Sequence, residues 1–509
     1  MPVKSKSTQL SENKLARNEP SGLYAVVDIG SNSVRLVVYD RLSRAPLPRF
    51  NEKSLCRLAD GLAETSELSE ESCRRTVEAV RRFRAVADAM RVDRVDSIAT
   101  EAVRRAANGA QLLARIAKEA GFKVQVLSGV EEARFASLGV LAGFHQPTGV
   151  VGDMGGGSLE IAEICNQGVS EFSASMPLGA LPVQALLAKS RVDAKQRVDA
   201  ILTENLPHGL SRPIFYAVGG GWRAFARVHL ASSAASLQVV NGYAIDAGDA
   251  RAFAKTISRL SKREVATLPG IPASRIATLP AAALVMDRVL KALSPERVIF
   301  SSLGVREGVL YSQLPRAEQA LDPLLEGARD FGAARARVPE FASALVRWTD
   351  DLFPVETSAE RRLRVAACTL SDVAWRDHPG IQAAESFRRL IQFPFIGIDH
   401  VERVFLASTI HARYAGSAED PVLTGANSLL PASSRRRALV LGRVLLLGYR
   451  LSGSVPEILA GARLRIGTDT VRLEVSKTAR VPDSEVVANR LKLVADAVGI
   501  RRTQIIEIV

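Results

Sequence analysis

Cysteine is scarce in this 509-residue chain, with four in all. Cys56, Cys73, Cys165 and Cys368 lack the paired spacing of a disulfide framework or a zinc site. They read as small buried apolar residues in a reducing compartment. Aromatic residues make up only 5%. No basic stretch interleaved with aromatics offers stacking platforms for bases, so no nucleic-acid partner is expected. Long hydrophobic runs are also missing. The most apolar stretch, residues 438–447, is interrupted by Arg443 and is too short to cross a bilayer. It is expected to be a buried helix, and no membrane span is expected. Residues 1–21 are polar, without the apolar centre of a secretory signal, and read as a disordered tail. A cytoplasmic protein is the expectation.

What the chain has in surplus is positive charge. The formal net charge is +13. Such an excess suits a polyanionic partner or an acidic substrate, although arginines scattered along helices also serve solubility. The length calls for several domains, and 47% hydrophobic residues supply their cores.

Two glycine-rich loops share one head. The first follows the apolar run Ala25-Val26-Val27 and reads Asp28-Ile29-Gly30-Ser31-Asn32-Ser33. The second follows Val150-Val151-Gly152 and reads Asp153-Met154-Gly155-Gly156-Gly157-Ser158. Each is a β-hairpin whose small-residue turn can present bare backbone N–H groups to an anion. Asp28 and Asp153 would lie near bound phosphates, where a bridging Mg²⁺ relieves the repulsion. A turn-initiating Asp is the plainer alternative for either. Two copies suggest a duplicated α/β unit with a phosphate-bearing substrate between its halves.

Between the loops, Glu131-Glu132 falls in the first turn of a helix after Ser128-Gly129. Glutamates there complement the helix dipole. One facing the phosphates could also deprotonate an attacking water. Arg104 follows a strand at 95–99 and could balance charge on a transferred phosphoryl group, or lie on the surface beside Arg105. The expected regions are an α/β unit over 22–134, a second over 135–312, an all-α region over 313–453 and a small α+β region over 454–509.

In order, the two loops, the segments 99–104 (Ala-Thr-Glu-Ala-Val-Arg) and 128–133 (Ser-Gly-Val-Glu-Glu-Ala), and 303–310 (Leu-Gly-Val-Arg-Glu-Gly-Val-Leu) resemble the exopolyphosphatase / guanosine pentaphosphate phosphohydrolase family. That family belongs to the actin–Hsp70–sugar kinase superfamily. The resemblance implies two ribonuclease H-like (actin-like ATPase) domains flanking a cleft. It implies Glu132 as the catalytic glutamate, Asp153 as a metal-linked aspartate and Arg104 as a cleft arginine. Gly30, Ser31, Asn32 and Ser33 match one phosphate loop. Gly155, Gly156, Gly157 and Ser158 match the other, with Glu160 just beyond. Asp28, Asp153 and Glu160 are the candidate Mg²⁺ ligands. The implied reaction is processive release of terminal orthophosphate from inorganic polyphosphate, with guanosine pentaphosphate as the alternative substrate and a homodimer as the assembly. The all-α region resembles a degenerate HD-like domain. It reads Leu370-Ser371-Asp372 where a His-Asp pair would bind metal, and His378, His400 and His411 lack metal spacing. No second hydrolase centre is expected. Two readings of other classes stay open: an ATP-dependent kinase or ATPase using Gly219-Gly220-Gly221, and a non-catalytic polyanion-binding module.

Overall fold

The computed structural model describes residues 22–165, 168–233, 235–477 and 484–508. The tail expected over 1–21 lies outside these.

The first sheet joins β1 (Tyr24–Ile29), β2 (Val34–Tyr39), β3 (Pro48–Ser54), β4 (Arg94–Ala99) and β5 (Val124–Val126) in the order β3-β2-β1-β4-β5. β1 to β3 form an antiparallel meander, and β4 and β5 add in parallel. β1 is apolar on successive residues because both faces of the sheet are covered. Ala25, Val27 and Ile29 enter one core, while Tyr24 and Val26 meet Leu310 on the other face.

The second sheet repeats the plan. β6 (Gly149–Met154), β7 (Leu159–Cys165) and β8 (Gly168–Met176) form the meander. β9 (Ile214–Val218) and β11 (Arg297–Phe300) run parallel beside β6, and β10 (Tyr243–Asp246) closes the edge antiparallel to β11.

Two crossing helices stitch the units together. The helix Gly129–Gly143 sends Val140 into the second sheet, and the helix Val305–Ser312 sends Leu310 onto the first. They approach so closely that a Cβ on Gly139 would strike the Gly304 backbone, and one on Gly308 the Phe135 carbonyl.

Beyond these units helices prevail up to Ser452, and residues 438–447, all but Leu439 and Arg443 buried, lie within the helix Ala432–Ser452. A three-stranded sheet, β12 (Ala462–Ile466), β13 (Thr470–Ser476) and β14 (Arg502–Ile508), ends the described chain. One hydrophobic core runs from Leu324 through the helices to Leu473 and Val494. So small a sheet cannot bury a face on its own, and it borrows the helices' surface. Arg44 ties this region to the first two units. It donates to the carbonyls of Ala142 at 2.6 Å, Leu141 at 3.1 Å and Leu321 at 3.0 Å.

In the segment expected to resemble a degenerate HD site, Asp372 is buried and paired with Arg337 (2.8 Å) and Arg413 (3.3 Å). His400 bonds the Val239 carbonyl, His411 bonds Asp420, and His378 is exposed. One expectation is corrected. Cys56, Cys73 and Cys368 are buried, but Cys165 is exposed, because it is the last residue of β7, paired with Gly168 at the end of the ladder instead of facing a core. Among the described residues no helix is long and apolar enough to cross a membrane.

Candidate active site

Both hairpin turns close in the same way. Gly30 N donates to Ser33 O at 3.1 Å, and Gly155 N donates to Ser158 O at 2.9 Å. Among the described residues no acceptor takes the N–H groups of Ser31, Asn32, Gly156 or Gly157. The turns come from different sheets and face each other: a Cβ on Gly156 would lie 3.0 Å from Ser31 Cβ. Together they line a cavity of about 170 Å³ that also holds Asp28, Glu132 and Asp153. Gly30, Ser31, Asn32, Ser33, Gly155, Gly156, Gly157 and Ser158 are all on its wall.

Neighbouring glutamates part company at the start of the helix Gly129–Gly143. Glu131 caps the helix, with its carboxylate accepting from Ser128 N and Oγ at 2.8 Å. Glu132 turns inward, 7% exposed. Arg104 Nη1 donates to Glu132 Oε2 at 3.3 Å and to Leu127 O at 2.5 Å. Arg104 is not on the cavity wall; it holds Glu132 from behind.

Acids crowd this side. Burial, then the Asp153 charge, pushes the Glu132 carboxyl up to about 8 despite Arg104. Burial raises Asp153 to about 6, with Arg223 pulling the other way. Burial and the Glu132 charge hold Glu160 well above the usual carboxylate range. Glu160 is 1% exposed, accepts from Ser175 Oγ at 2.9 Å, and stays off the cavity wall.

Basic residues line the cavity among these acids, and little of that lining was singled out from sequence. Arg35, Lys53, Arg223, Arg275 and Arg306 all line the cavity. Register explains two of them. Asp28 pairs with Arg35, and Arg35 pairs with Lys53, so one row crosses β1, β2 and β3. The equivalent row in the second sheet is Asp153, Glu160 and Ser175. Beyond the shared Asp, the same frame thus carries Arg35 and Lys53 in one half and Glu160 and Ser175 in the other. Burial and the neighbouring Arg275 and Arg35 charges bring the Lys53 amine down to about 8. Burial and Arg306 bring Arg223 down to about 10. Arg306 sits inside the 303–310 motif, the one signal that could have found it. Its Nη1 donates to Asp28 Oδ2 at 2.9 Å.

Among the described residues no three His, Cys, Asp or Glu side chains converge as a ready-made metal cage. Mg²⁺ does not require one, since it commonly takes one or two carboxylates with waters and substrate phosphates. Asp153 suits that role: it lines the cavity, and no donor among the described residues bonds its carboxylate. Asp28 fits less well because Arg306 already neutralises it. Glu160 has an orphaned buried Oε2 but lies behind the wall.

Sequence comparison matches residues 37–317 to the Ppx/GppA phosphatase family and residues 324–506 to the exopolyphosphatase C-terminal region. The chain belongs to the Ppx/GppA phosphatase family. As a member it is a hydrolase, with the two-unit α/β core of that family and a C-terminal region beyond it. Exopolyphosphatase 1 of Mycobacterium leprae is 30% identical over 304 residues, 57% of this chain and 88% of the relative. The guanosine-5'-triphosphate,3'-diphosphate pyrophosphatase of Photobacterium profundum is 24% identical over 370 residues, 70% of this chain and 73% of that protein. The crystal structure of the Aquifex aeolicus Ppx/GppA family member is 25% identical with a TM-score of 0.50, covering 57% of this chain and 97% of that one.

Proposed function

We propose that this Ppx/GppA protein is an exopolyphosphatase that removes terminal orthophosphate, processively, from linear inorganic polyphosphate. The observation carrying the reading is the shared cavity: two phosphate-type turns, a basic wall and the buried Glu132 meet in one small space. The terminal phosphate docks on the open N–H groups of the turns. Arg35, Arg223 and Arg306 balance its charge, and the next phosphates run along Lys53 and Arg275. Glu132 takes a proton from a water. That water's oxygen bonds to the terminal phosphorus as the bridging P–O bond breaks and the shortened chain leaves with the electron pair. The raised Glu132 pKa suits a proton acceptor near neutral pH. Arg104 keeps its carboxylate oriented. Mg²⁺, held by Asp153, would supply charge neutralisation to the phosphate oxygens. We also propose the C-terminal region as a degenerate HD-like scaffold that extends the polymer path.

Guanosine pentaphosphate is the second reading, favoured by the name of the Photobacterium relative. Two features support the polymer instead. At about 170 Å³ the cavity is smaller than sites for drug-sized ligands, roughly 300–1,000 Å³. Among the described residues no aromatic side chain lines it to stack a base. An ATP-using enzyme is disfavoured on the same two grounds. Phosphate release from polyphosphates of defined length, beside guanosine pentaphosphate and ATP, tests the reading. Faster release from the nucleotides would overturn it.

A further inference from the structure

Glu101 lines the same cavity, and the proposed hydrolysis leaves it without a role. It opens the short helix Glu101–Arg105, is 5% exposed, and sets its carboxylate between the two turns. Ser31 Oγ, from the first turn, donates to Glu101 Oε2 at 3.1 Å. Arg105 Nη1 donates to Oε1 at 2.5 Å. Gly157, from the second turn, lies so close that any Cβ there would collide with this carboxylate. A buried oxyanion therefore already rests against both turns. It occupies a hydroxyl that the first turn would otherwise offer to a phosphate oxygen.

We propose that Glu101 is a built-in competitor for the phosphate cradle, holding the Ser31 hydroxyl until a substrate phosphate takes it over. The proposal rests on reading the cavity as a phosphate site. Carboxylate and phosphate are both oxyanions that seek the same donors, and at close range their like charges repel. Each entering phosphate must displace Glu101 from Ser31. Arg105, its side chain 51% exposed, stays as the carboxylate's partner and limits the cost of that exchange. When orthophosphate is the ligand, the returning carboxylate helps expel it. Glu101 is thus a positioning residue that weakens phosphate binding and speeds product departure.

The test replaces Glu101 by Gln, which keeps the shape and removes the charge. Binding is measured by calorimetry in the Glu132→Gln background, so that the ligand survives. Tripolyphosphate and orthophosphate are the probes. Both dissociation constants should fall about three- to tenfold, because a repulsive neighbour is removed and a neutral amide oxygen holds the Ser31 hydroxyl less tightly than a carboxylate does. Glu101→Ala, which also vacates the space, should move them in the same direction. Unchanged or weaker binding in folded Glu101→Gln overturns the proposal. With Glu132 intact, Glu101→Gln should lower KM and the orthophosphate inhibition constant together. A fall in kcat with both constants unmoved would make Glu101 merely structural and also overturn it. If the native enzyme releases no phosphate from polyphosphate, the hydrolase reading fails, while the calorimetric comparison still decides Glu101.

Discussion

Glu131 and Glu132 are adjacent, chemically identical, and put to different uses. The first accepts bonds from Ser128 and its pKa is lowered by them; the second is buried beside Asp153 and its pKa is raised. Replacing Glu132 by Gln is expected to cut kcat by about 10²- to 10⁴-fold, the usual worth of a general base. Single-turnover phosphate release would measure it. The same substitution changes how stability depends on pH. Unfolded carboxyls titrate near roughly 4, whereas folded Glu132 holds its proton up to about 8. Between these values the folded state binds the extra proton, so stability falls as pH rises through the window. Glu132→Gln removes that slope, and its thermal midpoint should gain on the native protein between pH 5 and pH 8. Mg²⁺ at Asp153 should favour the ionised carboxylate, so the ascending limb of kcat/KM should move to lower pH as Mg²⁺ increases. At this scale the turns were legible in the sequence because glycine and serine act locally. Arg35 and Lys53 were not. They reach the cavity through strand register, which no spacing along the chain discloses.

Elements were read more reliably than their meeting points. Ser69 and Ser128 cap helices, each side chain accepting from a backbone N–H of the first turn. Gly121 and Gly499 end helices at φ 66° and 79°, where glycine is favoured. The contact between the helices Gly129–Gly143 and Val305–Ser312 was not foreseen, since its signature is one glycine on each, far apart in sequence. That contact holds Glu132 and Arg306 in one place. Gly308→Ala would force a methyl against the Phe135 carbonyl. It is expected to cost about 1–3 kcal/mol, as overpacking of a close contact does, and to reduce turnover by shifting Glu132. Thermal unfolding and kcat, followed together, check this. Gly139→Ala, against the Gly304 backbone, should behave alike.

Across the whole molecule, duplication was the most visible property of the sequence, and it sets the architecture. Two meanders of the same plan bring two turns to one cavity, and the rows beyond their shared Asp carry different charges. The composition shift after the second unit was also legible. That the last sheet shares a core with the preceding helices was not, because long-range burial leaves no local pattern. The net charge of +13 bears on the substrate at this scale. Affinity for long polyphosphate should fall steeply with salt through counterion release, more steeply than affinity for a three-phosphate chain. Equal salt slopes for long and short chains would confine the interaction to the cavity.

The most direct measurement follows orthophosphate released from polyphosphate of defined length by the native enzyme and by Glu132→Gln, with Mg²⁺ present. Steady release by the native enzyme, and loss of at least about a hundredfold in the folded variant, is the expected result. Equal rates for the two, or no release by either, would contradict the account.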